Sequence, residues 1–418
     1  MLKGHLATMK TAIGQATLSA RVRHMLGVEE DPNVKVGING FGKLGRLLAC
    51  AIREIDGIDL VAINDPYLEA DYMAYMLQHD SAPGGYLGTA EAVEDELMLD
   101  GRPCCLFAER ESSKIPWHSS GATFVVEASG RCSSVVAAQA HLKGGAQHVV
   151  VAAPCDDCPQ LVVGINETTY SGQSVVSGAS AAAHCLALLL KVVNDAFGVE
   201  QASASVLQAC SKQQLEEVVA GPSGKGHADW RSGRGEGLDI IPTQAEPIAA
   251  VRAILPSLAR RIGGAGFRLP AEGSASVVDL TVELRKQASM ETIRGAFAAA
   301  AFSMPLRGRL GHRDDEVDGG DVCVDGRAAI FDGRASMALS PTFVKLIGWF
   351  PNEWGYCRRL IELILHMHLH DLGVADQINE APPTSEASLQ GNFGGSETCS
   401  QAAASSEQAS IAGEFGMA

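Results

Sequence analysis

The sequence predicts an α/β protein with a doubly wound parallel sheet, followed by a second α+β domain whose sheet is largely antiparallel. Over residues 34–153, short apolar segments typical of buried parallel strands alternate with helical spacing. From residue 180 onward the segments are longer and alternate between polar and apolar residues, which favours antiparallel pairing. A chain of 418 residues is long enough for two such domains.

A glycine-rich turn follows the first predicted strand. Residues 34–38 are apolar, residues 39–45 read N-G-F-G-K-L-G, and helical spacing resumes from Leu44. In this context one glycine permits the tight turn, one lets the backbone approach a pyrophosphate, and one lets helix and strand pack closely. The N–H groups at the helix start then face the anion. The stretch predicts a Rossmann-type dinucleotide site, with a glycine-rich turn in another kind of α/β protein as the alternative.

An acidic residue follows the second predicted strand, residues 58–63. Asp65 lies at roughly the twenty-residue spacing from the turn that is expected of a ribose-binding acid. A carboxylate at this point hydrogen-bonds a 2′-hydroxyl and repels a 2′-phosphate. The sequence therefore predicts NAD rather than NADP as the cofactor.

Composition excludes several classes of protein. Hydrophobic residues at 46% and charged residues at 20% predict a soluble globular chain, and no stretch approaches the roughly twenty apolar residues that a membrane span needs. The net charge of −16 argues against nucleic acid as the main partner. Eleven cysteines scattered along the chain predict reduced thiols rather than a disulfide framework.

The two ends differ from the middle. Residues 1–33 carry no acid before Val28 and have amphipathic spacing, which is typical of an organellar transit peptide but also of a disordered arm in a cytoplasmic protein. We predict a cytoplasmic protein, with a plastid or mitochondrion as the alternative. Residues 376–418 contain no lysine or arginine and predict a disordered acidic tail.

Periodicity and turn residues predict the remaining elements. These are strands over 123–127, 148–152, 203–209, 276–284 and 322–331, helices over 137–142, 181–197 and 353–370, and a long loop over 219–241. A loop of that length in a compact domain is usually functional.

Two pairs of possible metal ligands receive a structural interpretation. Cys155 and Cys158 enclose two aspartates, which raise rather than lower thiol pKa values, and no second C-x-x-C pair completes a zinc site. His366 and His370 lie one helical turn apart without a third ligand, and we interpret them as surface histidines. The sequence predicts no metal site.

A series of longer motifs resembles phosphorylating glyceraldehyde-3-phosphate dehydrogenase, and the match extends from residue 34 to about residue 367. The motifs are N-G-F-G-K-L-G-R at 39–46, A-I-N-D-P at 62–66, A-H-L-K-G-G-A at 140–146, G-P-S-G-K at 221–225, G-F-R-L-P at 266–270, S-V-V-D-L-T at 276–281, F-V-K-L-I-G-W-F at 343–350 and N-E-W-G-Y at 352–356.

The resemblance implies a domain plan. It comprises an N-terminal arm or transit peptide over 1–33, an NAD-binding Rossmann domain over 34–180, a catalytic-type domain over 181–350, a helix over 351–375 that returns to the NAD domain, and the tail over 376–418. The family is a homotetramer whose long glycine-rich loop packs against a neighbour's cofactor site. The chain is therefore expected to form a homotetramer or a mixed tetramer with active paralogues.

The resemblance also implies that cofactor binding is kept. NAD is expected over the glycine turn, with Asp65 on the adenosine ribose, Arg110 on the adenine side and Asn352 orienting the nicotinamide carboxamide. One family serine near the nicotinamide is Ala152 here. The candidate cofactor residues are Asn39, Gly40, Phe41, Gly42, Lys43, Leu44, Gly45, Asp65, Arg110, Ser129 and Asn352.

The catalytic residues of the family are replaced. The family nucleophile motif reads S-N-A-S-C-T-T-N-C-L, whereas residues 177–186 read S-G-A-S-A-A-A-H-C-L. Ala181 therefore stands at the nucleophile position, and Cys185 matches a family cysteine that is not the nucleophile and is expected in the core. Counting forward from Cys185 places Gln208 at the position of the basic histidine, and counting back from Gly221 places Cys210 there.

The family's anion sites are half kept. Arg268 matches the arginine that holds the substrate phosphate, and Ser180 and Ser211 retain hydroxyl groups. In the second site, threonines become Ala182 and Ala245 and a glycine becomes Glu246, whose charge opposes phosphate. A phosphate-bearing aldehyde remains a possible ligand.

Three functions follow from these observations. The first is an NAD-binding family member, impaired or inactive in catalysis because nucleophile and base are both replaced. The second is a working oxidoreductase that acts on glyceraldehyde 3-phosphate or a related aldehyde through displaced residues such as Cys210. The third is a scaffold or regulatory subunit whose acidic tail recruits a partner.

Overall fold

A computed structural model describes residues 33–79, 86–94, 96–132, 134–210, 240–243, 246–271 and 275–373 of the chain. The N-terminal arm, most of the loop over 219–241, Ser211, Ala245 and the acidic tail lie outside the described residues, and the expectations for them stay predictions.

Eight strands form the first sheet. In chain order the elements are β1 (Val34–Asn39), α1 (Lys43–Glu54), β2 (Ile58–Asn64), α2 (Ala70–His79), β3 (Ala90–Val93), β4 (Glu96–Leu99), β5 (Arg102–Phe107), α3 (Trp117–Ser120), β6 (Phe124–Glu127), α4 (Val135–Ala138), α5 (Ala140–Lys143), β7 (His148–Val151) and β8 (Val175–Ser177). Their order across the sheet is β3-β4-β5-β2-β1-β6-β7-β8. The six neighbouring strands β5, β2, β1, β6, β7 and β8 pair in parallel. β3 and β4 add antiparallel pairs at one edge.

The order of strands reverses at β1, which lies between β2 and β6. Val36 and Ile38 of β1 are fully buried, as expected of a strand covered on both faces. In sheets of this kind, ligands bind outside the carboxyl ends of the strands at the point of reversal. Asn39, Asn64 and Glu127 are the last residues of β1, β2 and β6 and therefore mark this edge.

Seven strands form the second sheet. The elements are α6 (Ala181–Phe197), β9 (Val199–Cys210), β10 (Ile241–Thr243), α7 (Glu246–Ile254), β11 (Ile262–Pro270), β12 (Ala275–Leu284), α8 (Met290–Phe302), β13 (Leu310–Arg313), α9 (Gly319–Cys323), β14 (Ala329–Ser340), β15 (Phe343–Pro351) and α10 (Trp354–Asp371). Short 3-10 turns lie at Ser112–Lys114, Glu167–Thr169 and Pro256–Leu258. The order is β10-β11-β9-β12-β15-β14-β13.

The second sheet is largely antiparallel, which confirms the prediction, although β9–β11 and β13–β14 pair in parallel. One face packs against α6, α7 and α8 in a single apolar core. Along β12 fully buried and half-buried residues alternate, so that Val278, Leu280 and Val282 point into this core. The opposite face of the sheet carries the half-buried residues.

The last helix, α10, returns to the first sheet, as the family resemblance implies. Leu360, Ile361 and Ile364 of α10 belong to the same buried cluster as β1 and α1. The Cys357 thiol donates to the carbonyl oxygen of Leu44 at 3.9 Å. The residue that precedes α10 by two positions, Asn352, is thereby held close to the start of α1.

Two predicted elements and the predicted exposure of one histidine need correction. The strand predicted over 322–331 is wrong in its first half: the segment starts in α9, which Asp318 caps with its side chain, and β14 begins only at Ala329. The helix predicted over 137–142 is interrupted at Gln139, which separates α4 from α5. His366 is not a surface residue, since it is half-buried and its Nε2 lies 3.0 Å from the carbonyl oxygen of Glu167.

Among the described residues, no helix is both long enough and apolar enough to cross a membrane. All ten described cysteines are free thiols.

Candidate functional site

The glycine turn at the end of β1 has the geometry that the pattern predicts. Gly40 has a φ of 95°, and a Cβ atom there would lie 2.6 Å from the Cα of Ser129. A Cβ on Gly45 would lie 2.1 Å from the carbonyl oxygen of Gly40, so α1 packs directly on the turn. By contrast, a Cβ on Gly42 would meet nothing within 4 Å. The turn is closed on the protein side and open on the side where a pyrophosphate would approach.

The N-terminus of α1 is available to an anion. Gly42 is the N-cap residue, no side chain caps the helix, and its first turn carries no acidic residue. The uncapped N–H groups and the positive end of the helix dipole favour a bound phosphate. Together with the open space at Gly42, this donor set fits the pyrophosphate of a dinucleotide.

Asp65 is fixed against the glycine turn. Its Oδ2 accepts a hydrogen bond from the backbone N–H of Phe41 at 2.9 Å, and its Oδ1 accepts one from the N–H of Tyr67 at 3.0 Å. The carboxylate therefore lies beside the turn at the carboxyl end of β2, where the sequence places the ribose-binding acid.

A buried polar network supports the edge of the first sheet, and sequence reasoning assigned a role only to its Asn39 and Ser129. Asn64 Nδ2 donates to Asn39 Oδ1 at 2.8 Å, and Asn39 Nδ2 donates to Glu127 Oε2 at 2.6 Å. His141 Nε2 lies 2.8 Å from the same oxygen, and the N–H of Ser129 donates to Glu127 Oε1 at 2.8 Å. The signal in the sequence was the polar residue at the end of each parallel strand.

The charge of Glu127 is held by these donors. Burial opposes ionisation, but hydrogen bonds from His141, Ser129 and Asn39 outweigh it and hold the pKa of Glu127 below its usual range. The anionic carboxylate at the end of β6 accepts from Asn39 at the end of β1, and Asn39 in turn accepts from Asn64 at the end of β2.

Glu127, Cys132 and His141 place one ligand atom each within 4.8 Å of one another, a spacing compatible with a metal ion. The hydrogen bonds argue against that use. Trp117 Nε1 donates to His141 Nδ1 at 3.2 Å, so the ring proton of neutral His141 sits on Nε2 and points at Glu127. A metal at Nε2 would move this proton to Nδ1, where it would face the Trp117 N–H. The arrangement fits a structural network better than a metal centre.

Arg110, which the resemblance places on the adenine side, lies near the residues that follow Asp65. Its guanidinium group lies 5.5 Å from the centre of the exposed Tyr67 ring. Arg131, which sequence reasoning did not single out, lies 5.4 Å from the same ring and donates to the Tyr67 hydroxyl oxygen at 2.7 Å. Two cations therefore converge on one aromatic ring at this end.

Asn352 lies at the other end of the site, directly after β15. Its Nδ2 donates to the carbonyl oxygen of Ala209 at 3.0 Å, and its Oδ1 accepts from the hydroxyl of Ser276. The adjacent Glu353 forms an ion pair with Lys43 of α1 at 2.9 Å. The ion pair connects the start of α1 with the residue next to Asn352.

The nucleophile position begins a helix. Ala181 is the first residue of α6, and Ser180 caps it by accepting a hydrogen bond from the N–H of Ala183 at 3.3 Å. The preceding Ala179 has a φ of 54°, and its carbonyl oxygen accepts from the Tyr356 hydroxyl at 2.9 Å. A helix N-terminus lowers the pKa of a thiol placed on it. The backbone therefore suits a thiolate, but the side chain is a methyl group.

Neither of the next two polar side chains on α6 replaces the missing thiol. His184 is buried, and its Nε2 donates to the carbonyl oxygen of Gly178 at 2.9 Å. Burial lowers the pKa of His184 to about 4, so the ring is neutral near pH 7. Cys185 is fully buried and burial raises its pKa, which confirms the prediction that it packs in the core.

The register of β9 locates the two candidates for the base position. Gln208 pairs with Arg268 and Cys210 pairs with Pro270 across β11. Gln208 is exposed, whereas Cys210 is buried against Ile241. Burial raises the pKa of Cys210, and the nearby charge of Arg268 only partly opposes this. The structure brings Gln208 and the phosphate-binding candidate Arg268 together on neighbouring strands.

Glu246, which the resemblance places at the second anion site, is the first residue of α7. A carboxylate in the first turn of a helix is stabilised by the helix dipole. Ala182, the other described residue of this site, is buried and apolar.

The segment from Cys155 to Cys158 is a loop, as predicted. The Cys155 thiol donates to Asp157 Oδ1 at 3.0 Å, and the same oxygen accepts from the N–H of Val135 at 3.0 Å. Burial raises the pKa of Cys155 and of Cys158. These thiols are poor nucleophiles and serve the packing of the loop.

The fold and the site define a class of protein: a two-sheet protein in which a Rossmann-type domain carries a dinucleotide site beside a second, largely antiparallel domain. Two protein-family models match the chain. "Glyceraldehyde 3-phosphate dehydrogenase, NAD binding domain" matches residues 34–135, and "Glyceraldehyde 3-phosphate dehydrogenase, C-terminal domain" matches residues 180–352.

Individual relatives agree with these matches. The chain is 42% identical over 338 residues to glyceraldehyde-3-phosphate dehydrogenase 1 of Schizosaccharomyces pombe, covering 81% of this chain and 98% of that protein. It is 43% identical over 337 residues to the chloroplastic glyceraldehyde-3-phosphate dehydrogenase GAPCP1 of Arabidopsis thaliana, covering 80% and 78%. The chain therefore belongs to the glyceraldehyde-3-phosphate dehydrogenase family, whose members are NAD-binding oxidoreductases of glycolysis, and NAD is its cofactor.

Proposed function

We propose that this chain binds NAD but does not oxidise glyceraldehyde 3-phosphate by the thiol mechanism of its family. The observation that carries the proposal is Ala181 at the start of α6. A methyl group has no lone pair to attack an aldehyde, so no covalent intermediate forms at this position. Gln208 adds to the loss because an amide does not accept a proton near neutral pH.

What remains of the site supports binding. The open glycine turn, the uncapped N-terminus of α1 and the fixed carboxylate of Asp65 suit a dinucleotide. Arg268 and Ser180 keep a cation and a hydroxyl on the substrate side. We therefore expect NAD to bind, and a phosphate-bearing aldehyde to bind without being turned over.

Two measurements on the purified chain test this proposal. Isothermal titration with NAD should show binding, and an assay with glyceraldehyde 3-phosphate, NAD and phosphate or arsenate should show turnover at least about 10⁴-fold below an active family member. Glyceraldehyde-3-phosphate dehydrogenase 1 of Schizosaccharomyces pombe, assayed in parallel, is the control. Turnover within about tenfold of that enzyme would overturn the proposal.

A second candidate is catalysis through Cys210. It is favoured by the position of this thiol at the end of β9, two residues from Gln208, and opposed by burial, which raises the thiol pKa. In that case the chain oxidises an aldehyde and Cys210→Ser abolishes the activity. Any activity that survives Cys210→Ser excludes this candidate. If NAD does not bind at all, the scaffold function becomes the better account.

For assembly we propose a homotetramer, or a mixed tetramer with active paralogues. The support is the open face of the second sheet, where Leu207, Val277 and Trp349 lie side by side on three neighbouring strands and are only half-buried. A contiguous apolar patch of this kind is typical of an interface.

For the compartment we propose the cytoplasm, with an organelle as the alternative. The Arabidopsis thaliana relative is described as chloroplastic, and the Schizosaccharomyces pombe relative carries no such description. Imaging of fluorescent fusions with and without residues 1–33 decides between the two. Loss of an organellar signal on removal of those residues would establish a transit peptide.

A further inference from the structure

Three groups close a ring of hydrogen bonds at Asn352. The N–H of Ala209 donates to Ser276 Oγ at 3.0 Å, the Ser276 hydroxyl donates to Asn352 Oδ1, and Asn352 Nδ2 donates to the carbonyl oxygen of Ala209 at 3.0 Å. Ser276 is only 2% exposed, so water does not compete with these bonds. The ring joins β9, β12 and the residue that follows β15.

The ring fixes which way the Asn352 amide points. The Ser276 oxygen accepts from the Ala209 N–H, and its single proton is donated to Asn352 Oδ1. In the flipped amide, Asn352 Oδ1 would face the carbonyl oxygen of Ala209, and two acceptors would meet in a buried place. Asn352 therefore keeps Oδ1 toward Ser276 and has one N–H of Nδ2 left to donate.

We propose that Ser276 is a positioning residue that fixes the polarity of Asn352, so that Asn352 presents an N–H donor to the carboxamide oxygen of the nicotinamide ring. This inference rests on the proposed NAD binding and on the role of Asn352. The Ser276 hydroxyl thus contributes to recognition of the nicotinamide ring without contacting the cofactor itself.

The test compares Ser276→Ala with Ser336→Ala. Ser336 is a matched control because its buried hydroxyl also bridges two strands, accepting from the N–H of Ile347 at 2.9 Å and donating to the carbonyl oxygen of Asp332 at 2.6 Å. Both variants leave one buried backbone N–H without its acceptor, so both should lose thermal stability to a similar extent. Only the first touches Asn352.

Isothermal titration with NAD and with ADP-ribose, which lacks the nicotinamide, gives the decisive readout. Ser276→Ala should weaken NAD about tenfold while ADP-ribose stays within about twofold, and Ser336→Ala should change neither. Equal weakening of both ligands, or no change in NAD, would overturn the inference. If the unaltered chain binds ADP-ribose but not NAD, the assigned role of Asn352 fails. If it binds neither, the proposed function fails instead.

Discussion

At the start of α6 the backbone suits a catalytic thiolate, but the side chain at this position has no group that can react. The N-terminal N–H groups of α6 would stabilise a thiolate at position 181, but the residue there is Ala181. In enzymes where a nucleophile and a base act as a unit, removing either member costs on the order of 10⁶ in turnover. Here both members are replaced, since Ala181 stands at the nucleophile position and Gln208 at the base position.

Restoring both residues should restore chemistry if the rest of the pocket is intact. The double variant Ala181→Cys with Gln208→His supplies a thiol on a helix N-terminus and a base on β9. We expect it to reduce NAD in the presence of glyceraldehyde 3-phosphate and arsenate, measured by absorbance of NADH. The two single variants are the controls and should stay near the background rate. A folded, NAD-bound double variant without activity would mean that the substrate pocket has diverged as well.

His184 makes the stability of the chain depend on pH. Its folded-state pKa is about 4, below the usual 6.5, so between these values the unfolded chain binds a proton that the folded chain does not. Stability is therefore lost as pH falls below 6.5. From about pH 7.5 to about pH 5.5 this single group should cost on the order of 1 kcal/mol of unfolding free energy.

Urea unfolding of the unaltered chain and of His184→Asn at both pH values measures this contribution. The unaltered chain should lose on the order of 1 kcal/mol more than the variant over the interval, because asparagine does not titrate. Equal losses in the two proteins would show that folding does not lower the pKa of His184.

The β1–turn–α1 unit divides its glycines between folding and binding. At Gly45 an added Cβ would lie 2.1 Å from a backbone oxygen, whereas at Gly42 it would enter open space. Glycine therefore serves packing at position 45 and ligand approach at position 42. The buried polar network of Asn39, Asn64 and Glu127 supports the turn from below.

Gly42→Ala and Gly45→Ala should consequently fail in different ways. Gly42→Ala should weaken NAD binding at least about tenfold while changing the free energy of unfolding by less than about 1 kcal/mol. Gly45→Ala should lower the free energy of unfolding by about 1–3 kcal/mol because the helix has to move away from the turn. Titration with NAD and urea unfolding of both variants distinguish the effects, and the reverse assignment would refute the geometry of the turn.

At the scale of the whole molecule, the second sheet has one face covered by helices and one face open. Leu207, Val277 and Trp349 form an apolar row across β9, β12 and β15 on the open face. In the proposed tetramer a neighbouring subunit would bury this row, and removing its apolar surface from water would stabilise the assembly.

Light scattering of the purified chain should give a mass about four times that of the 43.8 kDa chain. Val277→Asp should shift the protein to smaller species, because a carboxylate would be buried without a partner at the interface. Val324→Asp, an exposed valine outside the row, is the control and should leave the mass unchanged. A monomeric unaltered chain would contradict the proposed tetramer.

Much of the fold could be predicted because it is periodic. The helix over 181–197 and the strand over 276–284 were placed within one residue, since long runs with one spacing leave few alternatives. The segment over 322–331 was mispredicted because Val322 and the apolar residues after it suit a strand, while the side-chain cap of Asp318 starts a helix first.

The candidate site was predicted only as far as motifs reach. Asp65, the glycine turn and Asn352 were identified from spacing and resemblance. The structure places Asp65 against the turn, and Asn352 next to Glu353, which pairs with Lys43. The bonds of Ser276 and the contacts of Arg131 join residues that are distant in the chain, so no local pattern in one sequence reveals them.

By itself, the sequence determined the class of fold, the cofactor turn and the identity of the residues at positions 181 and 208, since these depend on local spacing and on the chemistry of single side chains. Only the tertiary structure decided which polar groups meet: that Glu127 accepts from Asn39 and His141, that His184 donates to a carbonyl oxygen, and that the Ser276 hydroxyl donates to Asn352. Such contacts arise from the packing of separate strands, and their hydrogen bonds exist only when the chain is folded.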